Sequence, residues 1–393
     1  MFVATADRPL ATTITGSLPR PLWFVENLGT RPFLAAYNGS IAFREQYRDA
    51  VAALVSDQVR AGLDIVSDGE MRFDTDIGGR SWFGYLFDRL SGLEPLAVPA
   101  ARDIGNPGAA LRTRLATSGD ILNEFVATLR PPRIVGPVGA GTLQYDAVWK
   151  VAQALTDKPV KFGSCSAQMI ERQATNQFYG TREEALFALS DALNEELHRL
   201  ADAGCPVIQI EEPCLHGTSG IPRDIPFEQY VEAFNREVQG LRGKTEVWCH
   251  TCWGNPFAQR LSKNASYAPT AHFLGALDVD VLTVEAAENG GAEIAAVARH
   301  LGKDKKLCIG VLSHRTLQVE QPEDIAALIR KALDHVEPSR LVLSSDCGFG
   351  RQGMSRTHAF YKMIAMVHGA NIVKRELGLT ETEIPAANER LAL

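Results

Sequence analysis

The sequence predicts an α/β fold, and within that class a (β/α)8 TIM barrel: one domain with an insertion over the barrel mouth. Three observations predict it. Short β-rich runs alternate with amphipathic helical patterns along most of the 393 residues, the signature of a parallel sheet covered by helices. No strand runs into a GxGxxG or P-loop pattern, so a doubly wound nucleotide-binding sheet has no support. The length suits one large barrel as well as two or three smaller domains, and no low-complexity stretch reads as a linker.

In chain order, Thr12–Leu18 is the first strand-like run. A helix follows through Phe43, Tyr47, Val51, Leu54, Val55 and Val59, and Gly62 stops it. Asp64–Glu70 is the second run. The stretch 71–132 is long for a βα connection; it holds Trp82-Phe83-Gly84-Tyr85 and Gly105-Asn106-Pro107 and is read as the insertion. Arg133–Val138 and Pro159–Ser166 come next. Thr181 and Glu184 then form a capping box, with Leu186, Leu189, Leu193, Leu197 and Leu200 on one helical face and Gly204 at the end. Val207–Glu212, Glu246–Cys252, Val281–Ala286 and Lys306–Ser313 are further runs. Pro322 opens a helix with Ile325, Leu328, Ile329, Ala332 and Leu333 together, closed by Pro338. Leu341–Cys347 makes nine runs, so one lies outside the eight-stranded barrel. Two units look alike: Glu70 and Glu212 each sit eight residues after a helix-ending glycine, Gly62 and Gly204.

Composition excludes several functions. A net charge of −7 argues against gripping a phosphate backbone, so no nucleic-acid partner is expected. No run of about 18 apolar residues predicts a membrane span. The first residues lack the charged and apolar regions of a signal peptide, and the expected compartment is the cytoplasm. Seven cysteines is an odd number in a large chain. They are core residues, nucleophiles or metal ligands rather than a disulfide framework.

Barrel enzymes place their chemistry where strands end. His250 and Cys252, two apart, point to one face of a strand. Alone such a pair is more often packing than metal. Glu285 ends a second apolar strand and Cys347 a third, and together the four make a tetrahedral zinc set. Two thiolates and a carboxylate leave zinc at net −1. That charge suits activating a substrate thiol better than polarising a carbonyl, and the carboxylate is the ligand most easily spared. Elsewhere Glu70 closes the Ser67-Asp68-Gly69-Glu70 strand, and Glu211-Glu212 closes another. These are ordinary loop-start charges, or a clamp for a substrate ammonium. Gly16-Ser17 follows the first strand as a tight turn able to bind a carboxylate.

Taken in order, these pieces resemble the catalytic C-terminal half of the cobalamin-independent methionine synthase family and its single-barrel relatives. The resemblance covers nearly the whole chain. It rests on Thr-Ile-Thr-Gly-Ser-Leu-Pro-Arg (13–20), Gly-Leu-Asp-Ile-Val-Ser-Asp-Gly-Glu (62–70), Arg-Pro-Pro (130–132), Lys-Pro-Val-Lys (158–161), Ile-Gln-Ile-Glu-Glu-Pro (208–213), Cys-His-Thr-Cys (249–252), Thr-Val-Glu (283–285) and Asp-Cys-Gly (346–348). It implies a zinc-dependent barrel enzyme that transfers a methyl group to homocysteine. His250, Cys252, Glu285 and Cys347 match the zinc ligands, and Ser17, Glu70 and Glu211 the homocysteine-binding positions. At 211 the family usually has the shorter Asp.

Other departures fall on the methyl donor. The family's second, N-terminal barrel has no room here. Its folate-holding positions align with Ala127, Thr128, Gln173 and Gly217, and Ser164-Cys165-Ser166 replaces its Thr-Gly-Pro. Its proton-donating His aligns with Arg315, with His314 one place off. The resemblance therefore predicts a small-molecule thiol substrate. The donor is expected to be a corrinoid protein or another small methyl donor, not folate polyglutamate. Two alternatives stand beside it: a thiol alkyltransferase of the epoxyalkane:coenzyme M type, for which Arg20 and Arg72 could meet a sulfonate, and a non-catalytic protein with structural zinc.

Overall fold

The computed structural model describes residues 3–24, 37, 39–72, 81–95, 121, 132–213, 215, 225–254, 258–259, 265–350 and 353–388. Eleven strands are found among them: β1 (Ala11–Thr12), β2 (Val66–Ser67), β3 (Ser91–Pro95), β4 (Pro132–Gly139), β5 (Val160–Cys165), β6 (Thr175–Asn176), β7 (Val207–Glu211), β8 (Glu246–Thr251), β9 (Val281–Val284), β10 (Lys306–Leu312) and β11 (Leu341–Ser345). Eight form one sheet in the order β1-β11-β10-β9-β8-β7-β5-β2, and every pairing is parallel. The two outer strands meet through residues 64 and 65. The Ile65 amide donates to the Thr12 carbonyl at 3.1 Å, and the Asp64 carboxylate accepts from the Thr12 amide at 2.8 Å. These bonds complete the predicted (β/α)8 barrel.

The run outside the barrel is Arg133–Val138. It lies in β4, antiparallel to β3 and parallel to β6 in a separate three-stranded sheet. Only Ile134 of the run is buried, whereas every residue of β8 and β10 is. Gly136 and Pro137 sit within it, and neither suits a central barrel strand. Most of the expected insertion, including Gly105-Asn106-Pro107, lies outside the described residues.

Helices wrap the barrel as their sequences direct. Ser40 caps the helix Ile41–Ala61, which ends on Gly62 at φ 88°. Only glycine fits there, because a Cβ would stand 2.5 Å from the Glu383 carbonyl oxygen. The capping box of Thr181 and Glu184 starts the helix Arg182–Asp202, and all five predicted leucines are buried. Pro322 opens the helix Pro322–Leu333 at its first position. No helix among the described residues is long and apolar enough to cross a membrane.

Strand alternation makes two cores. Val247 and Cys249 of β8 face the helices in the large outer core. Trp248 packs instead with Ala4, Ala11, Ile65, Val207, Val281, Cys308 and Val342. Below Trp248, Glu246 accepts hydrogen bonds from the Val3 and Thr5 amides at 2.6 and 2.7 Å, the Thr5 hydroxyl and the Trp248 indole. This N-terminal segment plugs one end of the barrel. The polar residues singled out from the sequence gather at the other.

Candidate active site

His250 lies near the carboxyl end of β8, Cys252 just past it, and Cys347 just past β11. Their ligand atoms all lie within 4.8 Å of one another, and the two sulfurs are 3.9 Å apart. A tetrahedral ion with bonds of about 2.3 Å to sulfur sets two thiolates about 3.8 Å apart, so this donor set fits zinc. His250 and Cys252 are buried, and Cys347 is partly exposed.

The neighbours of this cluster set its charge. A carboxylate oxygen of Glu211 accepts from His250 Nδ1, while His250 Nε2 lies 3.0 Å from the Asp346 carbonyl. Burial lowers the imidazole pKa, but Glu211 more than offsets it and pushes the value up to about 9. A metal-ligating imidazole ordinarily gives its far N–H to such a carboxylate. Burial would raise the Glu211 pKa; His250 and Gln209 hold it low instead. Between the sulfurs, the hydrogen bond shared with Cys252 lowers the Cys347 pKa, helped by His250 against burial. The same bond, together with burial, raises Cys252. Cys347 is thus the more acidic thiol of the pair.

Glu211 also ends a longer chain. Lys161 Nζ donates to Gln209 Oε1 at 2.8 Å, and Gln209 Nε2 donates to Glu211. Burial pulls the Lys161 ammonium down to about 8. Neither Lys161 nor Gln209 was singled out from the sequence. Period-two alternation on adjacent strands carries the signal, but only once β5 and β7 are known neighbours.

Glu285 follows β9 directly. Its fully buried carboxylate is a neighbour of the three-donor cluster but is held by Arg315, whose Nη1 lies 2.9 Å from Oε2. The Trp253 amide donates to Oε1 at 3.1 Å. Burial would lower the Arg315 pKa; Glu285, with help from Glu288, raises it. Next to the cysteine, the buried Asp346 accepts from the Ala286, Ala287 and Glu288 amides at 2.7 to 3.0 Å. It ties the loop after β9 to the end of β11. Gly310 makes this possible, since a Cβ there would stand 2.1 Å from Asp346 Oδ1.

The remaining predicted residues surround this cluster or lie apart from it. Gly16 has φ 68°, and a Cβ on it would stand 2.9 Å from the Gly348 backbone. The turn after β1 therefore packs on the loop that carries Cys347. Within that turn the Ser17 hydroxyl is buried and has no hydrogen-bond partner among the described residues. Glu70 sits in the left-handed region at φ 55°. Its carboxylate projects beside Gly163, where a Cβ would meet it at 2.7 Å. Arg72 is buried against the Phe162 ring at 4.0 Å and donates to Asp68 at 2.8 Å and to the Gly163 carbonyl. Glu212, the lookalike of Glu70, accepts from the Ser166 hydroxyl at 2.6 Å and the Leu215 amide at 3.0 Å, a structural commitment. His314 is buried beside Arg315. Ala127, Thr128 and Gly217 lie outside the described residues; Gln173 donates to the Met169 carbonyl at 3.3 Å.

A closed parallel barrel with a thiol and imidazole cluster at its strand ends defines the class of protein. The chain belongs to the family described as cobalamin-independent synthase, catalytic domain, whose sequence profile matches residues 103–371. A methionine synthase of Thermococcus kodakarensis is 28% identical over 384 residues, covering 97% of this chain and 98% of that protein. One from Saccharolobus islandicus is 27% identical over 370 residues, covering 94% and 96%. Among solved structures, a B12-independent methionine synthase from a Shewanella species in complex with selenomethionine shares the fold. Its TM-score is 0.73 at 22% identity, over 94% of this chain and 98% of that one.

Proposed function

We propose that this chain is a zinc-dependent methyltransferase that methylates the thiol of homocysteine to give methionine. The convergence of His250, Cys252 and Cys347 in a barrel of this family carries the reading. The named methionine synthases support homocysteine as the acceptor. His250, Cys252 and Cys347 would hold the ion, with Glu285 as fourth ligand. Zinc bound there would lower the pKa of a substrate thiol and keep it nucleophilic at neutral pH. The unpartnered Ser17 hydroxyl would take the substrate carboxylate, and Glu70 its ammonium. Glu211, already shared by His250 and Gln209, would add charge to the ammonium site and orient the imidazole.

In this reading the donor is a methylated corrinoid, free or protein-bound, or another small donor, rather than folate polyglutamate. A folate leaving group is basic and needs a proton, and Arg315 is a poor acid because its guanidinium stays charged on Glu285. His314 is the remaining candidate for proton transfer. Gln173 offers no aromatic face on which a pterin could stack. The coenzyme M alternative loses support, because Arg72 is buried and committed to Asp68 and Gly163. A closed structural site is disfavoured by the partial exposure of Cys347. The test is a steady-state assay of zinc-loaded protein with homocysteine and either methylcobalamin or methyltetrahydrofolate. Faster methionine formation from methylcobalamin is expected. Folate-driven turnover in the usual enzyme range of about 1–1000 per second would overturn the donor assignment, and no methionine from any donor would overturn the activity.

A further inference from the structure

Building on that reading, we infer that Arg315 is a second seat for the Glu285 carboxylate, a latch that receives it when a substrate thiol enters. Glu285 is wholly buried, yet a guanidinium fork meets it with Nη1 at 2.9 Å from Oε2 and Nη2 at 3.4 Å from Oε1. Arg315 is itself fixed on the same loop as Cys252: Nη2 donates to the Gly254 carbonyl at 3.1 Å. Its backbone amide donates to the Ser313 hydroxyl at 3.1 Å. The Trp253 amide, adjacent to Cys252, gives the carboxylate a third donor. Glu285 is thus held within the loop that bears a ligand, by a partner that does not move with the substrate.

Charge explains why such a seat matters. Two thiolates and one carboxylate on a divalent ion total −1. Adding a substrate thiolate without releasing Glu285 would bring a buried site to −2. With zinc bound, exchange of the Glu285 carboxylate for the substrate sulfur would keep the total at −1, the thiol proton passing to solvent. The released carboxylate would then be a buried, unpaired charge, which is strongly unfavourable. Arg315 removes that penalty, and a Lys could not reproduce its bidentate fork.

Cobalt(II) is the probe, with Arg315→Leu, Arg315→Lys and Arg315→Leu/Glu285→Gln compared with the parent. Chelator competition reads metal affinity, and the thiolate-to-cobalt charge-transfer band reads homocysteine uptake. In Arg315→Leu, metal affinity is expected to hold or rise while the homocysteine Kd rises about tenfold or more, the scale of one charge-assisted contact. The double variant should regain uptake, because the Gln amide no longer competes as an anion. Arg315→Lys should fall between, and it carries the test if the Leu variant does not fold. Parent-like homocysteine affinity in both single variants, or metal loss in a folded Arg315→Leu, overturns the latch. Failure of the underlying reading is distinct: the parent would not bind cobalt, or Cys347→Ser would keep its spectrum.

Discussion

Glu246 and His250 lie four residues apart on β8, both buried and both facing the barrel interior, yet the two ends of the strand do different work. Glu246 is saturated by two amides and a hydroxyl from the N-terminal segment and by the indole of Trp248 on its own strand. Around His250, Glu211 holds Nδ1, while Nε2 lies 3.0 Å from the Asp346 carbonyl on the side where the two cysteine sulfurs converge. A buried polar group with all its partners supplied stabilises the fold. Buried titratable groups that converge on a shared point mark chemistry.

Substitutions at the two ends should separate these roles. Cys347→Ser or His250→Ala should abolish stoichiometric zinc and cut methyl transfer by about a thousandfold or more, since metal activation is worth several kcal/mol. Metal analysis beside the steady-state assay checks this, and zinc retained unchanged in both variants would remove the ligand assignment. Glu246→Ala should do the reverse. It leaves four donors, three of them buried, without this acceptor and should lower stability by about 3 kcal/mol. Denaturant titration would show the loss, while zinc content and activity per folded molecule stay at the parent level.

The carboxylates between these extremes sharpen the contrast. Glu211→Gln should weaken zinc binding about 10- to 100-fold by loosening the His250 imidazole. Glu70→Gln should leave zinc untouched and weaken homocysteine binding by about 1.5–3 kcal/mol. Calorimetric titration with each ligand distinguishes them, and identical profiles for the two variants would erase the distinction. The smallest effect is expected outside the barrel. Glu237 is buried on the helix Phe227–Glu237 and accepts from the Ala167 amide at 2.9 Å. Its other oxygen has no partner among the described residues. Burial, aided by Glu212, raises its pKa well above 4.5 against the amide's pull. The folded state therefore favours the protonated form. That stability is present below pH 4.5 and is lost as pH rises through the folded value. Glu237→Gln should gain on the parent in thermal melts as pH rises from 5 to 8, and parallel melting curves would contradict the sign.

Much of this was legible before any coordinates. Alternation along Trp248-Cys249-His250 and the repeated ending of strands on polar residues were enough to pick out His250, Cys252 and Cys347, which the fold brings together. The displaced strand was harder to see, because Arg133–Val138 has the same β-rich look as its neighbours. Only its partial exposure and the Gly136-Pro137 pair separate it. Which group each carboxylate serves was not legible at all. Glu211 carries one more methylene than the family's Asp and meets His250, and Glu285 meets Arg315 across 30 residues of chain. Gly163 and Gly310 read as ordinary strand glycines until Glu70 and Asp346 occupy the space a Cβ would need.

Pairing of the first strand with the last sets a schedule for synthesis. Ala11 is in register with Val342, so the ring cannot shut until almost the whole polypeptide has left the ribosome. Contacts spanning so much sequence are costly to close and slow to form. The turn holding Ser17 docks on the loop holding Cys347 in that same late event. A nascent chain that has already exposed His250 and Cys252 still lacks the third donor and the surface that braces it. Convergence of the three donors therefore waits until the first strand has found the last.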